Sequence, residues 1–249
     1  MKVATILPAP YLHLEEHNDY HLCLAHLMGN KEYGGFFRDQ AERGRFVMMD
    51  NGVVETGEPM PMRELIVIAD HFGVKELVLP DALCDRATTL ERGHEAITRM
   101  VYARPSLRHH IDLVAVPQGE DEEEWIRCVN DMLDWPVRTI GISRFTARFF
   151  SSRAEALSCV PELIKSDKSI HLLGCTNDPR EIYEVDVSFP GRVRGVDSGI
   201  AAMYTQLGMS MSDGQPKPSV ELEFEEDTLD VDLLMENAEW WRKRCLGLV

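Results

Sequence analysis

Four polar residues stand just beyond short apolar runs, where a buried strand would end. Asp50 closes FVMMD, Asp81 follows LVLP, Gln118 follows LVAVP and Asp197 follows VRGV. Carboxylates gathered at one place suit glycosyl chemistry. One attacks an anomeric carbon, and another gives a proton to the leaving group and takes one from the entering group. An acid and an amide beside them can read the hydrogen-bonding edge of a base or sugar. Each residue also has a plainer reading. Asp50-Asn51-Gly52 is turn chemistry, Asp81 and Asp197 could cap helices, and Pro117-Gln118-Gly119 is loop-like. The weight lies in the combination, because four separate runs deliver acid or amide groups at the same kind of position.

The elements that must position these groups alternate. Strands are read at residues 3–7, 46–49, 76–79, 111–116, 139–142, 170–173 and 192–196. Helices are read at 17–28 (from the spacing of Tyr20, Leu24 and Leu27), 62–72 with Gly73 as its stop, 88–103, 120–133, 153–164 despite Pro161, from Asp178-Pro179, and 198–207. Residues 29–44 read as a loop or as a weak helix around 36–43. Short, uniformly apolar strands alternating with helices argue for a parallel sheet, and this many units argue for a single (β/α)8 barrel of the TIM type, with chemistry at the C-terminal strand ends. The eighth strand falls to the half-polar VELEF at 220–224, the least strand-like of the set. The barrel is expected to fill the whole chain as one domain, 1–249, with an acidic extension over 213–249 that includes a helix near 231–244 carrying Trp240 and Trp241. The Trp pair either packs that helix on the barrel or marks a partner surface.

Composition narrows the function classes. The 249 residues suit one barrel, and 44 % hydrophobic content is ample for its core. A net charge of −16, from 42 acidic and 26 basic side chains, opposes a general nucleic-acid coat but leaves room for one local basic patch. The six cysteines are scattered, with no CxxC pair, so they read as reduced thiols rather than a zinc site. His13, His17 and His21 would share a helical face, a weak metal signal, and no metal or cofactor is expected. His171 reads as structural, and His109-His110 as surface. The N-terminus lacks a signal-peptide run and no segment reaches membrane-spanning length, so a soluble, cytoplasmic protein is expected.

Taken in order, the motifs resemble those of the tRNA-guanine transglycosylase superfamily. HLLGC followed about twenty residues later by RGVDS is similar to that family's His-Leu-Met-Gly strand and its Arg-Gly-hydrophobic-Asp nucleophile strand. The resemblance implies Asp197 as nucleophile and Asp50 in MMDNG as the second catalytic acid, with Asn51 where the family has Ser. It implies base recognition by Asn51, Asp81, Gln118, Gly119, Gly141 of TIGIS and Gly174. The family's zinc subdomain has no counterpart here. The compact, zinc-free form looks most like the phage-type 7-deazaguanine DNA transglycosylases. The function this implies is exchange of guanine in a polynucleotide for a 7-deazaguanine such as preQ0, through a covalent Asp glycosyl-enzyme. The implied partners are DNA, or alternatively tRNA, and the free 7-deazaguanine base, with no membrane. A homodimer is compatible, and the enzyme would work in the host cytoplasm if phage-encoded. Arg144 and Arg148, with Arg153, follow strand five and are candidate phosphate contacts, or else an ordinary solvated helix. Two other readings stay open: a barrel nucleosidase or glycosyl hydrolase on a small substrate, and a non-enzymatic partner protein using the acidic tail.

Overall fold

The computed structural model describes residues 1–176 and 178–249, and for residue 17 the backbone alone. Eight parallel strands form one curved sheet: β1 (Lys2–Thr5), β2 (His21–Leu24), β3 (Val47–Asp50), β4 (Glu76–Val78), β5 (Asp112–Ala115), β6 (Thr139–Ser143), β7 (Ser169–Leu173) and β8 (Val193–Ser198). The order runs β1-β8-β7-β6-β5-β4-β3-β2. Around it lie helices α1 (Lys31–Glu42), α2 (Val53–Thr56), α3 (Met62–Phe72), α4 (Arg86–Ala103), α5 (Glu122–Met132), α6 (Arg153–Ser158), α7 (Pro161–Lys165), α8 (Arg180–Ser188), α9 (Ile200–Gln206) and α10 (Val231–Cys245). This is the expected TIM-type barrel.

The barrel closes at β1–β2 without a regular strand ladder. Side chains supply much of the bonding along the outer edge of β1. The Asn18 amide accepts from Thr5 N at 3.0 Å and donates to Thr5 O at 2.9 Å, standing in for a peptide group. Asp19 accepts from Val3 N at 2.9 Å, and Glu15 accepts from Leu7 N at 3.0 Å. A buried parallel edge would otherwise leave these backbone donors unpaired.

The eighth strand is therefore not at 220–224. It is β2, inside the stretch whose spacing suggested a helix. All four β2 residues are buried, and a strand covered on both faces has no polar alternation to reveal it. Tyr20, Leu22 and Leu24 pack in the interior cluster, while His21 turns outward to Glu15. That outward turn also removes His21 from the helical face supposed for a His13–His17–His21 metal site. The side chain of His17 lies outside the described residues. The segment taken as a loop or weak helix is the full helix α1. Asn30 caps it, accepting from Glu32 N and Tyr33 N. Within this helix position 34 must be glycine, because a Cβ there would lie 2.5 Å from Met28 O. Pro161 divides the single helix expected at 153–164 into α6 and α7. In the tail, Trp241 is fully buried and packs α10 into the main core, which settles the packing role of that residue.

A defect in β8 governs the site. Ile170 of β7 pairs with Val193, but the next residue, His171, pairs with Gly195, so Arg194 is an extra residue in the ladder. Such a bulge shifts the in–out alternation of the strand by one residue. Val193 and Val196 both pack in the outer core between sheet and helices. Arg194 points inward to an ion pair with Glu76, over Met48. Asp197 also points inward, at the mouth.

Candidate active site

The C-terminal strand ends enclose a cavity of 510 Å³, of a size that takes a small ligand. Asp50, Asp81, Gln118 and Asp197 all line it, so the four strand-end residues do converge.

Asp197 is 3 % exposed, and its two carboxylate oxygens are treated differently. Oδ1 accepts from His171 Nε2 at 2.7 Å and from Tyr20 Oη at 3.4 Å. Among the described residues, Oδ2 meets only the backbone N–H of Gly174, at 3.4 Å. Burial lowers the His171 pKa, so the imidazole is neutral, and its bond to Asp197 places the proton on Nε2. Burial, with Asp197 beside it, pushes the Tyr20 hydroxyl well above its ordinary range and keeps it a donor. His171 is thus part of the site rather than structural filler. Neither His171 nor Tyr20 was legible as a site residue, because each sits in an apolar run and meets Asp197 only through the barrel. Gly195 gives them room: a Cβ there would lie 3.2 Å from Tyr20 Cε1 and 3.5 Å from His171 Cε1.

Asp50 accepts from Gly52 N at 3.2 Å, so the turn reading is also correct. Burial raises its carboxyl well above the usual range, and Glu55, Asp81 and Asp197 add to the shift. Glu55 lines the same cavity from its exposed rim. Asp81 is held at both oxygens, by Asn51 Nδ2 at 2.7 Å and Gln118 Nε2 at 2.6 Å. Burial outweighs these bonds and lifts its pKa to about 6. Asn51, a substrate-binding candidate, does not line the cavity: it is buried behind Asp81 and also donates to Leu79 O at 2.7 Å. The helix-capping readings fail: Asp85 caps α4, and Gly199 holds the N-cap position of α9.

The other candidates separate. Gly174 lines the cavity, with φ of 70° and the Arg144 stem against it. Gly119 packs on α5, where a Cβ would lie 2.5 Å from Trp125 N. Gly141 fits between Leu173 and Val116. Of the arginines, only Arg144 lines the cavity. Arg148 is exposed and bonds Cys84 Sγ, and Arg153 is buried in an ion pair with Glu181, so neither a phosphate contact nor a solvated helix describes Arg153. The tail contributes what the motifs did not show. Lys217, Val220, Glu221, Leu222, Glu223 and Phe224 line the mouth as a strap, anchored where Phe224 O accepts from Ala9 N at 2.9 Å. Among the described residues, no group of three or more His, Cys, Asp or Glu is placed to hold a metal ion, and no helix is long and apolar enough to cross a membrane.

No protein-family model matches this chain, and no curated protein sequence matches it. Solved structures do match in fold. The carboxyl transferase domain of Rhizobium etli pyruvate carboxylase, solved with 3-bromopyruvate, superposes with a TM-score of 0.51 at 10 % identity, over 99 % of this chain and 47 % of that one. The chain thus spans about half the length of that relative. A 2,3-dimethylmalate lyase of the PEP mutase/isocitrate lyase superfamily superposes with a TM-score of 0.50 at 15 % identity, over 96 % of this chain and 90 % of that one. At these identities the likeness defines the fold, a TIM barrel.

The expectation of base exchange in a polynucleotide is overturned here. The two solved barrels named above are a carboxyl transferase and a dimethylmalate lyase, not transglycosylases. The mouth itself argues the same way. The strap adds Glu221 and Glu223 to the lining of the mouth, and their charge repels a phosphodiester backbone approaching a carboxylate only 3 % exposed.

Proposed function

We propose that this protein is an enzyme acting on a small substrate enclosed in the barrel mouth, and that it cleaves a glycosidic bond in the manner of a nucleosidase or glycoside hydrolase. The observation that carries this reading is the pairing in one cavity of Asp197, with two side-chain donors on Oδ1 and none on Oδ2 among the described residues, with Asp50, whose carboxyl burial and neighbouring acids push well above the usual range. Glycosidases assign such unlike carboxyls to nucleophile and acid. The resemblance of the ordered motifs to those of the transglycosylase superfamily supports the same roles for the same two residues.

In this mechanism Asp197 Oδ2 attacks the anomeric carbon as the glycosidic bond breaks. Asp50 gives its proton to the leaving atom. Water then attacks the anomeric carbon of the glycosyl-enzyme while Asp50 takes its proton, and the bond to Asp197 breaks, which frees the sugar and restores the Asp197 carboxylate. Asp81, oriented by Asn51 and Gln118, binds the polar edge of the leaving group.

The test is a screen of nucleosides and aryl glycosides with wild-type protein, together with mass spectrometry of protein treated with a 2-fluoro glycosyl donor. A sugar adduct on the peptide containing Asp197, absent in Asp197→Asn, is the expected result. Turnover of small hydroxy- or keto-diacids with no glycoside cleavage would overturn the reading.

A further inference from the structure

Two cations, Arg144 and Lys217, line the same cavity; Glu55 on the exposed rim acts on Arg144 through its charge but makes no ion pair with it within 4 Å. Arg144 comes from the segment after β6, and its guanidinium carbon lies 4.7 Å from the centre of the Phe145 ring. Among the described residues, no hydrogen bond or ion pair within 4 Å occupies that guanidinium. Lys217 comes from the strap, and Nζ donates to Cys175 O at 2.9 Å, leaving two of its three protons for another acceptor. Burial, with Arg144 nearby, lowers the Lys217 pKa to about 8. In a chain of net charge −16, ion pairs are easily supplied, yet among the described residues neither of these two positive groups has an ion pair within 4 Å. Bringing like charges together out of water is unfavourable unless an anion joins them.

Their position relates that anion to the reaction. The Arg144 stem packs on Gly174, whose N–H faces Asp197 Oδ2, and Lys217 bonds the next carbonyl, of Cys175. One small molecule can therefore reach both the cation pair and the carboxylates.

We infer that Arg144 and Lys217 form a subsite for a phosphomonoester carried by the sugar, so that the substrate class is a glycosyl or nucleoside phosphate. Two positive charges match a phosphate dianion, and the fork of Arg144 with the point charge of Lys217 supplies donors on two sides of it. Phe145 beneath the guanidinium orients it in advance. This assignment rests on the reading of the cavity as a glycosidic site.

The experiment is calorimetric binding of ribose 5-phosphate, ribose, inorganic phosphate and malate to the full chain. The proteins compared are wild type, Arg144→Gln, Lys217→Gln and Lys217→Arg, each checked by circular dichroism for an unchanged fold. Ribose 5-phosphate should bind wild type at least ~10-fold more tightly than ribose does, and more tightly than inorganic phosphate. Each neutral variant should weaken it by about 10- to 100-fold, the scale of one charge-assisted bond, while Lys217→Arg stays within about threefold. Equal binding of ribose and its phosphate, unchanged affinity in the neutral variants, or malate preferred over the phosphate would overturn the inference. Inorganic phosphate binding more tightly than ribose 5-phosphate would overturn a substrate-borne phosphate in favour of a free one. The measurement involves no turnover. Phosphate binding without glycoside cleavage would therefore sink the glycosidic reading alone, and cleavage indifferent to the phosphate would sink this one alone.

Discussion

Asp197 and Asp81 face the same cavity from β8 and from the end of β4, both 3 % exposed and both served by two side-chain donors. Their donors are distributed differently. Asn51 and Gln118 take one oxygen each of Asp81, at 2.7 and 2.6 Å, so neither oxygen is left without a side-chain donor. His171 and Tyr20 both bind Oδ1 of Asp197 and, among the described residues, leave Oδ2 with a single backbone N–H at 3.4 Å. A carboxyl gripped at both ends is a fixed template for recognition, whereas one gripped at a single oxygen presents the other to an electrophile. The difference in role comes from where the partners stand, not from the residue type.

Removing the reactive carboxylate is the largest expected break. Asp197→Asn should lower turnover by at least about 10⁴-fold in a steady-state assay, with substrate binding retained. A loss below tenfold would mean that Oδ2 does no bond-making. Asp50→Asn comes next, at about 10²- to 10⁴-fold for substrates whose leaving group needs a proton. Because burial and neighbouring acids raise its pKa, Asp50 acts while protonated, and wild-type activity should fall as pH climbs through that raised value. The variant should lose this alkaline limb and recover rate on a nitrophenyl glycoside, which departs unprotonated. A limb that survives in Asp50→Asn would assign the proton to another group.

The intact half of this comparison was legible in sequence, and the reactive half only partly. Asp81, Asn51 and Gln118 each stand at or just past an apolar run, and the strand-to-helix alternation that fixes the barrel also fixes their convergence. Asp197 was found by its motif, but its orientation was not. Strict alternation from the inward Arg194 would send Asp197 out of the barrel, and only the bulge reverses it. A bulge in VRGVDS leaves no local mark beyond Gly195. Tyr20 and β2 were hidden by burial on both faces, and the strap by its polarity, which mimics an ordinary tail. Long-range partners such as His171, with Asp197, are set by register, which periodicity does not report.

Gly195→Ala tests that register directly. The new Cβ would lie 3.1 Å from Lys2 O and crowd the Tyr20 and His171 rings, so both donors of Oδ1 should shift. We expect a stability loss of about 1–3 kcal/mol by denaturant titration and a further drop in kcat of about 10- to 100-fold from misplacement. The KM of a good substrate should change little, since Asp81 is untouched. A KM effect without a kcat effect would reverse the assignment of the two acids.

The smallest effect concerns the template end, and its sign is fixed by linkage. Folding raises the Asp81 pKa from 3.8 to about 6, so between those values the folded chain holds more protons than the unfolded one. Its contribution to stability is full below the unfolded value and is lost as pH rises through the folded one, about 3 kcal/mol across the window at about 1.4 kcal/mol per unit. Asp81→Asn does not titrate. Urea midpoints measured from pH 4 to 7 should therefore fall less steeply in the variant, with some slope remaining from Asp50. The variant should be less stable than wild type at pH 4, because one of the two amides loses its acceptor, and should close part of that gap by pH 7. Parallel profiles would mean that Asp81 enters the folded state ionised, and a charged template would then select a leaving group rich in N–H donors rather than one offering both donors and acceptors.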